Sequence, residues 1–206
     1  MHKAPIITFA RHRMATDGPG VTTLICFHGC LLRCKYCLNP FSFAPDTRRT
    51  EMTAEQLYDR VKIDELYFLA TGGGVTFGGG EPLLHAEFIE EFRAVCGEEW
   101  HLCAETSLAV PWEQVERAAR CVDFFLIDVK DTDPEIYRRY TGRDNGQVLE
   151  NLRRLAAVLP SERIKVRLPL IPDFNTEADR LRSKERLEAM GIKQFDLFTY
   201  TMKEKV

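Results

Sequence analysis

Short apolar runs alternate with segments of helical apolar spacing along almost the whole chain. A β-branched, apolar run predicts a buried strand over 21–27. Residues 53–61 read as a helix capped by Thr53, with Gln56 three positions on to complete a capping box. Residues 75–77 form a short strand that runs into glycines. Phe88, Ile89, Phe92 and Val95 recur at helical spacing and predict a helix over 85–96 that stops at Gly97. A strand over 100–106, a helix over 111–119 with proline near its first position, and a strongly strand-like run over 122–129 come next. Helices over 133–140 and 146–158, a strand over 164–171 broken by Pro169, a helix over 176–190 and a strand over 194–200 complete the pattern. This amounts to about six β/α units with short connections, an α/β class with a mostly parallel sheet and helical crossovers in one domain over 1–206. The polar, glycine-rich and charged clusters fall at the C-terminal ends of predicted strands, where barrels and open α/β sheets carry their active sites.

Composition narrows the class of partner. The 206 residues are 45% apolar, enough for a core, and 28 Lys+Arg against 31 Asp+Glu give a net charge of -3. Such a balance gives no general attraction to nucleic acid or to an anionic membrane. Arg11-His12-Arg13 interrupts the N-terminal apolar residues, and no run is long enough to span a bilayer. A soluble cytoplasmic protein is expected, and a monomer, since no long amphipathic face is left over. Seven cysteines, three of them crowded together, argue against a disulfide framework and for a reducing compartment. Cys26, Cys96, Cys103 and Cys121 lie in apolar runs or on helix faces and read as small buried hydrophobes.

The crowded three are the candidate metal ligands. Cys30, Cys34 and Cys37 spell C-x-x-x-C-x-x-C in a loop over 28–40, directly after the first predicted strand. Three thiolates can hold three irons of a [4Fe–4S] cube and leave the fourth open to a chelating amino and carboxylate group, whereas four-cysteine sites are closed. Zinc with a fourth ligand from His28, His85 or His101 is the alternative, although no second C-x-x-C or H-x-x-x-H follows. Gly78-Gly79-Gly80-Glu81-Pro82 follows a strand and lets a ligand approach the backbone, or is a plain turn. Asp128 and Lys130 share one strand face, either to meet a zwitterionic ligand or to pair with each other. Glu105 lies near Asp128 if their strands are neighbours, and two such carboxylates repel unless a cation or ligand separates them. Arg167 suits a carboxylate by its bidentate geometry, or is a surface arginine. Asp17-Gly18-Pro19-Gly20 reads as a turn.

Taken in order along the chain, these groups resemble the radical SAM superfamily and, within it, the activating enzymes of glycyl-radical enzymes. Asp17-Gly18-Pro19-Gly20, the three cysteines with Tyr36 before the last, Asn39-Pro40, Gly79-Gly80-Glu81, Asp128-Val129-Lys130 and Arg167 carry the resemblance over nearly the whole chain. It implies a partial (β/α)6 TIM-like barrel with a shortened C-terminus, one [4Fe–4S] cluster on Cys30, Cys34 and Cys37, and S-adenosylmethionine chelating the open iron. Gly79, Gly80 and Glu81 are implied to receive the amino group, Lys130 and Arg167 the carboxylate and ribose end, and Tyr36 to lie beside the adenine. Glu105 and Asp128 fall where the family binds a monovalent cation, with glutamate here in place of a shorter aspartate. Thr201 stands where the best-known type carries histidine. The implied reaction is reductive cleavage of S-adenosylmethionine and abstraction of a glycine Cα hydrogen from a partner glycyl-radical enzyme, with a flavodoxin or ferredoxin-type protein as electron donor. A small radical SAM enzyme acting on a free metabolite or nucleotide precursor is the competing reading, and a non-enzymatic metal module the third.

Overall fold

Along the parallel strands one face turns apolar side chains to the helices, while the opposite face carries the polar residues toward the strand ends, Glu105, Asp128 and Arg167 among them, a period-two partition that creates core and site together. The computed structural model describes residues 2–14 and 16–200. Strands β1 (Ala4–Met14), β2 (Val21–Phe27) and β3 (Thr50–Met52) precede helices α1 (Ala54–Val61) and α2 (Glu65–Thr71). Then come β4 (Gly74–Gly79), α3 (Ala86–Cys96), β5 (His101–Thr106), α4 (Trp112–Ala119), β6 (Phe124–Asp128), α5 (Pro134–Thr141) and α6 (Gly146–Val158). The chain continues through β7 (Ile164–Leu170), α7 (Glu177–Ala189) and β8 (Gln194–Thr199). Among the described residues eight strands form one sheet in the order β3-β1-β2-β4-β5-β6-β7-β8, so β3 and β8 are its edges and the barrel is partial, not closed. The six strands from β2 through β8, leaving out β3, pair in parallel and supply the six β/α units expected.

The helix-facing side carries Ile25, Phe27, Val75, Phe77, Leu102, Ala104, Phe125, Ile127, Val166 and Leu168, all inside one core cluster. Phe77 stacks on Phe27 and meets Phe92 of α3 edge-on, which fixes that helix against β4. The capping box on α1 forms as expected: Thr53 Oγ1 accepts from Gln56 N and Gln56 Oε1 accepts from Thr53 N. Gly97 ends α3 at φ 73, and Asp133 caps α5 by accepting from the backbone of Glu135 and Ile136.

The sequence pattern misses β1, β3 and α2. β1 pairs antiparallel with β2 and β3, and its polar residues hide any clean alternation. α2 leaves Leu66, Tyr67 and Leu69 exposed, so its apolar residues do not trace a single stripe. A register shift in β1 between Ala10 and Arg13, with His12 at φ 55, turns consecutive side chains toward one target. That target is the fully buried carboxylate of Asp64, just before α2. It accepts from Arg11 through Nε at 2.7 Å and through a second, Nη2 contact, from Thr23 Oγ1 at 2.9 Å, and meets His12 Nε2 at 3.0 Å. Burial alone raises a carboxyl, but the bonds from Arg11, Thr23 and His12 outweigh it and hold Asp64 below its ordinary value. Asp64→Asn is expected to cost about 2–4 kcal/mol at neutral pH, because hydrogen bonds to a charged group are lost in a buried site. A depressed carboxyl contributes in full above its unfolded pKa of about 3.9 and loses that contribution as pH falls through the folded value. Urea denaturation of both proteins is therefore expected to show a constant gap above that pH and a narrowing one below it.

Candidate active site

One cavity collects the loops at the C-terminal ends of the parallel strands. Cys30, Cys34 and Cys37 from the loop after β2, Gly79, Gly80 and Glu81 after β4, Glu105 of β5, Asp128 and Lys130 at the end of β6, and Arg167 of β7 all line it. The two leading loops are joined by backbone bonds: Gly80 N donates to Phe27 O at 3.0 Å and Glu81 N to Gly29 O at 2.7 Å. This joint explains the glycines. A Cβ on Gly80 would lie 2.1 Å from Gly29 O, and Gly79 sits at φ 88 with its missing Cβ 2.7 Å from Cys26 Cα.

Glu81 is fully buried and its carboxylate is fully engaged. It accepts from Thr106 Oγ1 at 2.6 Å, Ser107 Oγ at 2.6 Å, Ser107 N at 2.9 Å and Leu83 N at 3.2 Å. Burial pushes its carboxyl up, and the Ser107 and Thr106 donors pull against that. The side chain thus ties the glycine loop to the end of β5. Thr106 and Ser107 line the cavity and carried no signal in the sequence beyond their place at a strand end.

Charges alternate across the polar face. Arg167 Nε donates to Asp128 Oδ1 at 2.9 Å and its Nη1 to Glu105 Oε1 at 3.2 Å, so a guanidinium separates the two carboxylates. Lys130 Nζ donates to Asp128 Oδ2 at 3.1 Å and to Tyr200 Oη at 3.0 Å. The ion pair of Asp128 with Lys130 is therefore real, and it sits inside the cavity. Arg167 is not a surface arginine: only 20% of its side chain is exposed. Burial opposes ionisation of Asp128, but Lys130 and Arg167 win and hold it low. Burial likewise opposes the charge on Lys130, and Asp128 overrides it, so the ammonium titrates well above its ordinary value. Glu105 is pushed up, by burial first, with Arg167 opposing and Asp17 and Asp128 adding. Asp17 is no open turn residue: it is buried and held by Arg13 through two contacts, and its carbonyl accepts from Thr76 Oγ1 at 2.8 Å.

Not every expected residue reaches the cavity. Tyr36 lies on the outer side of the cysteine loop, with its hydroxyl donating to Asp173 Oδ2 at 3.0 Å and its ring edge-on to Phe174 and Tyr140. Tyr200, from the end of β8, lines the cavity instead and was not singled out from sequence. Thr201 lies outside the described residues.

The three loop cysteines are free thiols, and burial pushes Cys30 up to about 12 and raises Cys34 against the pull of Lys130. A bound metal would displace those protons. No histidine joins them: His28 Nε2 meets Ala44 O, His85 Nε2 meets His28 O and His101 Nδ1 meets Cys103 Sγ. Among the described residues no three ligating side chains are gathered around one point as a single ion requires. Three soft donors on one loop, with no fourth protein ligand among the described residues, fit an iron–sulfur cluster with one open iron. No helix among the described residues is long and apolar enough to cross a membrane.

Known proteins share both sequence and fold with this chain. It is 30% identical to the (2S)-3-sulfopropanediol dehydratase activating enzyme of Klebsiella oxytoca, over 81% of this chain and 71% of that protein. It is 31% identical to the pyruvate formate-lyase-activating enzyme of Staphylococcus aureus (strain USA300), over 89% of this chain and 76% of that one. The fold matches Streptococcus suis SuiB, solved with S-adenosylmethionine, at a TM-score of 0.64 and 16% identity, over 85% of this chain and 39% of SuiB. The Radical SAM superfamily model matches residues 24–183. With its three-cysteine loop and its partial (β/α)6 barrel, the chain belongs to the radical SAM superfamily.

Proposed function

We propose that this protein activates a glycyl-radical enzyme. The observation that carries the reading is the single cavity in which the three thiols face the glycine loop and the Asp128–Lys130–Arg167 network, in a chain related over most of its length to two activating enzymes. A [4Fe–4S] cluster and S-adenosylmethionine, when bound here, would supply the one-electron chemistry that ends in removal of a glycine Cα hydrogen.

The chain's own residues bind and orient. Cys30, Cys34 and Cys37 would hold the one cluster through three of its irons. The backbone of Gly79 and Gly80 offers acceptors to the ligand's ammonium, while Glu81, with its carboxylate already engaged, keeps that backbone in place. Lys130 has three N–H groups and spends two on Asp128 and Tyr200, leaving one for the ligand's carboxylate or ribose. Arg167 serves the same end with the donors it does not spend on Asp128 and Glu105. Two carboxylates and two cations make this part of the cavity neutral, which suits a group carrying both an ammonium and a carboxylate. Tyr36 keeps a place beside the adenine only by the family resemblance, since its side chain packs outside the cavity on Asp173, Tyr140 and Phe174. Arg167 already separates Glu105 and Asp128, so a monovalent cation is a secondary element of this reading. We place the protein in the cytoplasm as a single-domain monomer served by a flavodoxin or ferredoxin-type donor; its seven free cysteines support a reducing compartment.

The test is anaerobic. The protein is loaded with iron and sulfide, reduced, and given S-adenosylmethionine together with a candidate glycyl-radical enzyme. The expected result is a reduced-cluster EPR signal that shifts with S-adenosylmethionine, 5′-deoxyadenosine release, and a glycyl-radical EPR signal on the partner. Cleavage coupled to a small molecule, with no protein radical on any candidate partner, would transfer the site to the metabolite-acting reading.

A further inference from the structure

The outer side of the cysteine loop is an exposed approach to the three thiols, with Leu31, Arg33 and Lys35 on the surface between them. The limb carrying Arg33 and Lys35 is joined to the last turn of α5. Arg33 N donates to Thr141 O at 2.9 Å and Lys35 N to Tyr140 O at 3.0 Å. The joint brings Arg33 and Lys35 beside Arg139 and Arg143, and all four are exposed. Among the described residues none of the four has a carboxylate within ion-pair reach. Arg33 Nη1 donates to the carbonyls of Cys30 at 2.6 Å and Leu32 at 2.8 Å, Arg139 Nη2 to Asp173 O at 3.2 Å, and Arg143 Nε to Leu31 O at 3.4 Å. Backbone acceptors fix these guanidiniums in place without cancelling their charge. Arg138, in the same turn, is different: it pairs with Asp144 at 3.3 Å. Leu31, 41% exposed, adds an apolar contact in the same loop. Asp173, whose carboxylate accepts from Tyr36, is the acidic residue met on this side, and four cations with no ion pair among the described residues outnumber it in a chain whose net charge is -3, a local arrangement and not a consequence of composition. None of the four lines the cavity. The cavity and this face are thus built from different residues.

We propose that this face is the docking surface of a carboxylate-rich one-electron carrier protein. This rests on the function proposed above. One electron leaves the reduced carrier, which is oxidised by one, and enters the cysteine-held cluster, which is reduced by one; no bond forms or breaks. Complementary charge at such a face sets the association rate and its salt dependence more than the chemistry that follows.

The experiment uses an acidic flavodoxin as probe and compares the iron-loaded protein with its Lys35→Glu/Arg139→Glu and Lys35→Gln/Arg139→Gln variants. Calorimetry at low and high salt gives the affinity for oxidised flavodoxin, and stopped flow gives the rate of reduction by reduced flavodoxin. The charge-reversed variant is expected to lose about tenfold or more in both at low salt, and most of the salt dependence. The neutral variant falls between. Iron content and reduction by dithionite stay at wild-type level in both, which separates the effect from a folding defect. Flavodoxin binding within about twofold of wild type in the charge-reversed variant overturns the proposal, as does weakened binding confined to the glycyl-radical partner. A wild-type protein that loads iron and cleaves S-adenosylmethionine with dithionite while charge reversal has no effect sinks this inference alone. A wild-type protein that takes up no iron overturns the proposed function, and this inference with it.

Discussion

Changing any one of Cys30, Cys34 or Cys37 to alanine is expected to abolish cluster binding and to lower S-adenosylmethionine cleavage on the order of a thousandfold or more, because the three act as one unit. Each thiol is implied to carry a separate iron, so no neighbour takes over for a missing one. All three line one cavity, and no histidine lines it with them. Pairwise double variants should therefore be no worse than the singles, the non-additivity expected of groups that act as a unit. Cys96→Ser supplies the contrast: Cys96 ends α3, away from the cavity, and its loss should leave iron binding unchanged. Iron and labile sulfide per chain, with EPR of the reduced protein, decide the matter. A single alanine variant that keeps a full complement of iron and sulfide would remove that cysteine from the ligand set and reopen the case for a ligand from elsewhere.

Asp128→Ala is expected to carry the largest stability cost at the site, about 3 kcal/mol, because it strands the buried Lys130 and the partly buried Arg167. Asp128 accepts from Lys130 at 3.1 Å and from Arg167 at 2.9 and 3.5 Å, and the Lys130 side chain is only 8% exposed. Without it, Lys130 retains Tyr200 and Arg167 retains Glu105, one partner each. Asp128→Asn keeps the shape and an acceptor and is expected to cost less. Denaturant midpoints measure both. Binding of S-adenosylmethionine to the surviving folded fraction should also weaken, since the donors that face the cavity lose their anchor. A change below about 0.5 kcal/mol would show that the pair behaves as a solvated surface bridge and not as a buried one. The depressed carboxyl of Asp128 also gives this contribution an acid limb: it is complete above about pH 4, the ordinary aspartate value, and fades as pH falls through the folded value.

Charge and chemistry thus fall on different sides of the cysteine loop. The cysteines face the cavity, while Arg33, between two of them in sequence, turns outward and donates back to the carbonyl of Cys30. A loop that alternates in this way gives the reacting group a dry side and a charged side within a few residues.

The features legible in the sequence were those whose chemistry is local. The spacing of Cys30, Cys34 and Cys37 is a short-range property, and so is the shared strand face of Asp128 and Lys130, which do form the ion pair that spacing allows. The capping box of α1 and the apolar spacing of α3 were readable for the same reason, because the groups that satisfy each other lie within one or two turns. Even the placement of polar clusters at strand ends followed from alternation and from the six-unit count. What remained hidden depends on pairs far apart in the chain. Glu81 read as a ligand for an ammonium group, but Thr106 and Ser107, 25 and 26 residues away, occupy its carboxylate. Arg167 read as surface or ligand-binding, but the register that sets β7 beside β6 and β6 beside β5 puts its guanidinium between Asp128 and Glu105. Tyr200 enters the cavity only because β8 pairs with β7, and β1 is a strand because β2 and β3 flank it, not because of its own pattern. Residue type and spacing specify which groups are able to react. The pairing of distant strands decides which of them are already spent on each other, because a buried charge takes its partner from whatever the fold brings within hydrogen-bond reach.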